Sequence, residues 1–230
     1  DMPTSRGLGD VYKRQRVEAV KAIASDFTER RVGERVGLIL FGSKAYVQAP
    51  LTFDTTTVTQ FIREAQLGFA GEDTAIGDSL GLAIKRLRDR PAASRILILL
   101  TDGQDTASSV DPMEAAALAA QQNVKVYTIG ISRNLGTTSA RGGEVDEALL
   151  RAIAEATGGE YFRARDPREL QAIYGIIDQL EPVEQDAGTF RPRQSLGYWA
   201  MLGALVIGGL VLLTGGLIPG LSRSRQAVSA

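Results

Sequence analysis

Arg95 to Ala107 read RILILLTDGQDTA, and the fold turns on this stretch. Ile96 to Leu100 carry no polar position, so the run has none of the alternation of a strand wetted on one face. A short continuous apolar run bounded by turn residues reads instead as a strand of a parallel sheet, covered on both sides. Thr101-Asp102-Gly103 then sets a carboxylate at the carboxyl edge of that strand, with a glycine to let the chain turn sharply. Ligands of open α/β sheets bind at that edge, which makes Asp102 a candidate ligand residue. The plain alternative is that Asp-Gly only shapes the turn.

Working outward, the same alternation of helix and strand recurs on both sides. Residues 16–31 place Val17, Val20, Ile23, Ala24 and Phe27 at helical spacing, and Val36 to Phe41 (VGLILF) reads as another strand buried on both faces. Ala45 to Leu51 is expected to be a shorter strand, Thr55 to Ala65 a helix, and Ala75 to Arg88 an amphipathic helix closed by Pro91. Downstream, Pro112 to Gln122 is an alanine-rich helix, Val124 to Ile131 a strand leading into a Gly- and Thr-rich loop, and Asp146 to Ala156 a helix. Gly159 to Phe162 and Pro167 to Leu180 supply a last strand and helix. Strands separated by helices predict an α/β, doubly wound, mostly parallel sheet with right-handed crossovers. Gly71-Glu72-Asp73-Thr74 opens the helix at Ala75 and presents the Thr74 hydroxyl where a loop becomes a helix; taken alone, a plain N-cap is the favoured explanation.

The chain has 230 residues with 26 basic and 27 acidic side chains, no His and no Cys. A formal charge of −1 gives no field for holding phosphates, which argues against nucleic acid. Without His or Cys there is no Ser-His-Asp triad, no Cys nucleophile and no ordinary zinc site. Any metal must sit among oxygens, which suits Mg²⁺, Mn²⁺ or Ca²⁺.

Leu196 to Leu217 (LGYWAMLGALVIGGLVLLTGGL) carry no charge and are long enough, as a helix, to cross a bilayer. Residues 196–218 are therefore assigned as a transmembrane helix, 181–195 as a polar linker and 219–230 as a short tail. Arg191 and Arg193 before it and Arg223 and Arg225 after it balance, so positive charge leaves the orientation open. Residues 1–15 lack the periodicity of the rest, and PTSRGLGDVYKRQ resembles an adapter-derived read-through; they are set aside as a non-native leader.

Together, VGLILFGSKAYVQAPLTFD, GEDTAIGDSLGLAIKRL and RILILLTDGQDTA resemble von Willebrand factor A (vWA) domains. With VYTIGI, EALLRAIAEATGGEYFRA and ELQAIYGIIDQLEP before a membrane helix, the chain is similar to bacterial aerotolerance proteins of the Bat type, over residues 16 to the end. The resemblance implies a domain at 16–180 that is not an enzyme and binds proteins through a metal-ion-dependent adhesion site. Thr74 and Asp102 match two of that site's three elements and would ligate Mg²⁺ or Mn²⁺. The third, Asp-x-Ser-x-Ser after the family's first strand, has no counterpart here, so the chain reads as a fragment lacking that strand. The resemblance further implies a place in the bacterial inner membrane with the domain in the periplasm, and a part in envelope or oxidative stress tolerance. Its expected partners are sister vWA membrane proteins and, indirectly, a MoxR-type AAA ATPase.

Two other functions compete. A structural membrane scaffold with no working metal site needs only the fold and the anchor. A receiver-like phosphoryl acceptor also uses an aspartate at the end of a parallel strand, but it wants a Lys after a later strand, where Ser132 and Arg133 stand. No Gly-x-x-x-x-Gly-Lys-Ser/Thr is present for a P-loop ATPase.

Overall fold

The computed structural model describes residues 5–66, 68–131 and 145–182, with side chains from residue 17 onward. Its elements, in chain order, are α1 (Ser5–Arg30), β1 (Val36–Phe41), β2 (Ala45–Thr52), α2 (Thr55–Glu64), α3 (Ile76–Leu87), β3 (Ile96–Thr101), α4 (Pro112–Gln121), β4 (Lys125–Ile131), α5 (Glu147–Thr157), β5 (Tyr161–Ala164) and α6 (Pro167–Leu180). A short 3₁₀ turn at Ala92–Ser94 precedes β3. Every expected element forms, with ends shifted by a residue or two, except that α1 starts at Ser5 rather than at residue 16. The expected membrane helix at 196–218 lies outside the described residues, among which no helix is long and apolar enough to cross a membrane.

Local chemistry explains the helix starts. Asp-Pro opens both α4 and α6: Asp111 accepts from the N–H groups of Met113 and Glu114, Asp166 from those of Arg168 and Glu169, and Pro112 and Pro167 sit where no N–H is needed. Asp54 and Asp146 cap α2 and α5 in the same way. Helix α3 is the exception, since Ala75 stands at its N-cap and has no side chain to offer.

The strands fall into two ladders. β3, β4 and β5 run parallel in the order β3-β4-β5, and β1 and β2 form an antiparallel pair. Two helical layers cover both. On one side Ile96, Ile98 and Leu100 face α1 and α6, while Val36 and Leu38 face α1 and α2. On the other, Leu97, Leu99 and Phe41 pack with α3, α4 and α5 around Ile76, Leu80 and Ile153. Because α1 packs on both α2 and α6, and α3 packs on β1, β2 and α4, the helices hold the two ladders together.

Among the described residues, β1 and β3 are not hydrogen-bonded to each other, and each has one unpaired edge. The expectation that VGLILF and ILILLT are covered like central strands is corrected accordingly. No residue of β1 is fully buried, and only Leu99 and Thr101 of β3 are. A strand is shielded by neighbours in its own sheet as well as by helices, and among the described residues β1 and β3 each have a hydrogen-bonded neighbour on one edge alone.

Candidate metal-ion site

Three loops meet at the carboxyl ends of β1 and β3: Gly42 to Lys44, Gly71 to Ala75, and Asp102 to Asp111. On the β1 side, Ala75 N–H donates to the Gly42 carbonyl at 2.8 Å and Lys44 N–H to that of Ala70 at 3.3 Å. The Ser43 hydroxyl donates to Asp73 at 2.8 Å and accepts from the Asp73 N–H at 3.2 Å. Gly71, with φ at +100°, makes this possible, since a Cβ there would lie 2.2 Å from Ser43 Oγ.

On the β3 side, Thr106 and Ala107 N–H groups both donate to the Thr74 carbonyl, at 2.8 and 3.2 Å. The Thr74 N–H returns to Thr106 Oγ1 at 3.0 Å. The Gly71–Ala75 loop therefore spans from the end of β1 to the end of β3, over the carboxyl end of the opening between them.

Both expected site residues lie on this rim. Asp102 is exposed at the end of β3. Thr74 stands beside the next residue: a Cβ built on Gly103 would come within 2.9 Å of Thr74 Oγ1. Gly103 lies in the bend that follows β3, and its φ is not among the positive ones. Having no Cβ, it also leaves room for the Thr74 hydroxyl.

The N-cap reading of Thr74 is also corrected. The first-turn N–H groups of α3 are taken by the facing loop, Ile76 donating to Asp105 Oδ1 at 2.7 Å and Gly77 to Ser108 Oγ at 2.8 Å. Ser108 Oγ in turn donates to Asp105. From the helix, Asp78 Oδ1 accepts the N–H groups of Ser109 and Val110 at 3.0 and 3.1 Å. The Thr74 side chain is thus relieved of capping. Sequence reading missed Ser43, Asp105, Thr106 and Ser108; the one available signal was the density of Asp, Ser and Thr after Gly103, residue types that bond to nearby backbone.

In kind, these donors fit a hard divalent cation, being a carboxylate and a hydroxyl with no nitrogen or sulfur ligand in reach. In number, Thr74 and Asp102 provide two of the roughly six oxygens such an ion takes. Among the described residues no three of His, Cys, Asp or Glu converge on a common point. Further oxygens would have to come from solvent or from another segment.

An α/β fold of this kind is also what comparison with known proteins returns. The family model for the von Willebrand factor type A domain matches residues 3–176. The chain belongs to this family. A UPF0353 protein from Mycolicibacterium paratuberculosis (strain ATCC BAA-968 / K-10) is 27% identical over 219 residues, covering 87% of this chain and 62% of its own. The chain spans 58% and 62% of the length of the first two curated relatives it matches. Among solved structures, the conserved hypothetical protein BatB from Bacteroides thetaiotaomicron is 26% identical, with a TM-score of 0.57 over 72% of this chain and 88% of that one. An aerotolerance-related membrane protein from Bacteroides fragilis NCTC 9343, carrying multiple mutations to serines, is 21% identical and shares the fold at a TM-score of 0.57, over 70% of this chain and 87% of its own. The Bat-type resemblance of the sequence stands on these neighbours.

Proposed function

We propose that the chain is a membrane-tethered vWA interaction module, not an enzyme, in which Thr74 and Asp102 supply part of the shell of a Mg²⁺ or Mn²⁺ ion. The observation that carries this reading is the bridging loop, which sets the Thr74 hydroxyl beside Gly103, the residue after Asp102, and leaves α3 to be capped from elsewhere. With only one carboxylate from this chain, a bound cation keeps net positive charge and an affinity for an acidic side chain of a partner protein. Thr74 and Asp102 hold and orient the ion; the ion supplies the attraction.

The apolar segment at 196–218 is the proposed tether, and the membrane description of the Bacteroides fragilis neighbour supports it. The proposed location is the bacterial inner membrane with the vWA domain in the periplasm. Stress tolerance as the setting, sister vWA membrane proteins as direct partners and a MoxR-type ATPase as an indirect one rest on the Bat-type resemblance.

Calorimetric titration with Mg²⁺ and Mn²⁺ tests the central point. Binding that is lost in both Thr74→Ala and Asp102→Ala supports it; binding unchanged in both variants, or none in the wild type, refutes it. The scaffold reading remains the alternative, favoured by the lack of a three-ligand cluster among the described residues. Absence of any ion binding would leave that reading standing.

A further inference from the structure

Resting on the proposed ion site, we infer that Asp105 is the positioning residue of the Thr74 and Asp102 pair, holding the two donors in register without touching the ion itself. Asp105 stands in the loop that begins with Asp102, and its carboxylate accepts the N–H of Ile76, two residues beyond Thr74 on the other loop. A carboxylate bonded to a helix N-terminus makes a charge-assisted hydrogen bond and meets the positive end of the helix dipole, so this tie is stronger than a neutral cap. Ser108 supports it by donating to Asp105 while accepting from Gly77.

The tie runs in both directions. Asp78, on the first turn of α3, accepts two N–H groups from Ser109 and Val110 farther along the same loop. Between these two carboxylates lie the bonds that fix Thr74 itself, its N–H to Thr106 Oγ1 and its carbonyl to Thr106 and Ala107. Thr106 directly follows Asp105, so releasing the Asp105 carboxylate loosens the residue to which Thr74 is bound. Helix α3 cannot replace the lost cap from its own sequence, because Ala75 is at the N-cap. The geometry therefore routes the Thr74 to Asp102 spacing through Asp105.

The test uses the full chain and Mn²⁺ alone, read by water-proton relaxation, together with amide hydrogen exchange at Thr106 and Ala107. From the range of measured cap losses, Asp105→Ala is expected to weaken Mn²⁺ binding about tenfold and to speed exchange at both amides about tenfold. Asp105→Asn keeps an oxygen acceptor for Ile76 and is expected to stay within about threefold on both readings. Asp111→Ala removes the cap of α4 and is expected to change neither, which separates positioning from general loss of stability. Exchange unchanged in Asp105→Ala, or Asp105→Asn falling as far as Asp105→Ala, overturns the assignment. Should the wild type bind no Mn²⁺, the ion-site reading fails, and the exchange measurement alone decides whether Asp105 holds the two loops.

Discussion

β4 and β3 lie side by side, and they differ in burial in the direction opposite to their composition. β3 reads ILILLT, yet most of it is only partly covered, whereas β4 reads KVYTIGI and every residue from Val126 to Gly130 is buried. The difference is pairing: β4 has a hydrogen-bonded neighbour on both edges and β3 on one. β1 repeats the case of β3, with an apolar sequence, one partner and no fully buried residue. The opening between β1 and β3 is thus the region where the sequence calls for more shielding than the described residues provide.

The largest effect expected from this contrast is on stability. Ile129→Ala, at a fully buried position of β4, is expected to cost about 3 to 4 kcal/mol, and Ile98→Ala on β3 about 1 to 2, because a part-buried side chain has less transfer energy to lose. Denaturant midpoints of the two variants measure it. Equal losses would mean that Ile98 is as well covered as Ile129 and would remove the contrast.

A second expectation concerns alkali. Tyr174 is fully enclosed in the cluster that β4 and β5 build with α6, its ring 4.7 Å from that of Phe27, and burial pushes its phenol up to about 12. Tyr127 is raised in the same sense, first by burial and then by its bond to Glu181. The folded state holds these protons above the ordinary value of 10.0, so their contribution to stability is complete below about pH 10 and is lost as pH rises through the folded values. Spectroscopic titration of tyrosinate should show Tyr174 ionising at about 12 in the folded protein. Ionisation of Tyr174 at the ordinary value of 10.0 would contradict the packing of this half.

The smallest expected effect is at the rim. Gly103→Ala brings a methyl to 2.9 Å from Thr74 Oγ1. It is expected to cost about 1 kcal/mol or less in stability, since Thr74 is half exposed and can move. Its effect should fall on Mn²⁺ affinity instead, and an unchanged affinity would show that the Thr74 hydroxyl takes no part in ion binding.

Much of this was legible in the sequence. Apolar runs at 36–41 and 96–100 located their strands because only a strand can use so short an uninterrupted run, and the segments from Pro112 and Pro167 were legible as helices. Asp102 at the end of a strand and Thr74 just before a helix were also local readings, and the structure brings their two loops together. Their tertiary roles were not legible, since nothing local tells that Asp105, separated from Ile76 by 29 positions, caps α3 in place of Thr74. Gly103 was read as a turn residue, and its closeness to the Thr74 hydroxyl, on another loop, was not legible for the same reason. Nor could the degree of burial of β1 and β3 be read, because apolar composition records what a strand requires and not whether a neighbour is there.

Amide hydrogen exchange of the full chain tests the central claim most directly, because successive N–H groups of a strand point to opposite edges. With an opening between β1 and β3, alternate amides of each should exchange about a hundredfold faster than those between them, while the amides of β4 are protected without alternation. Uniform protection along β1 and β3, equal to that of β4, would show both edges paired, and the opening on whose rim Thr74 and Asp102 have been placed would not exist.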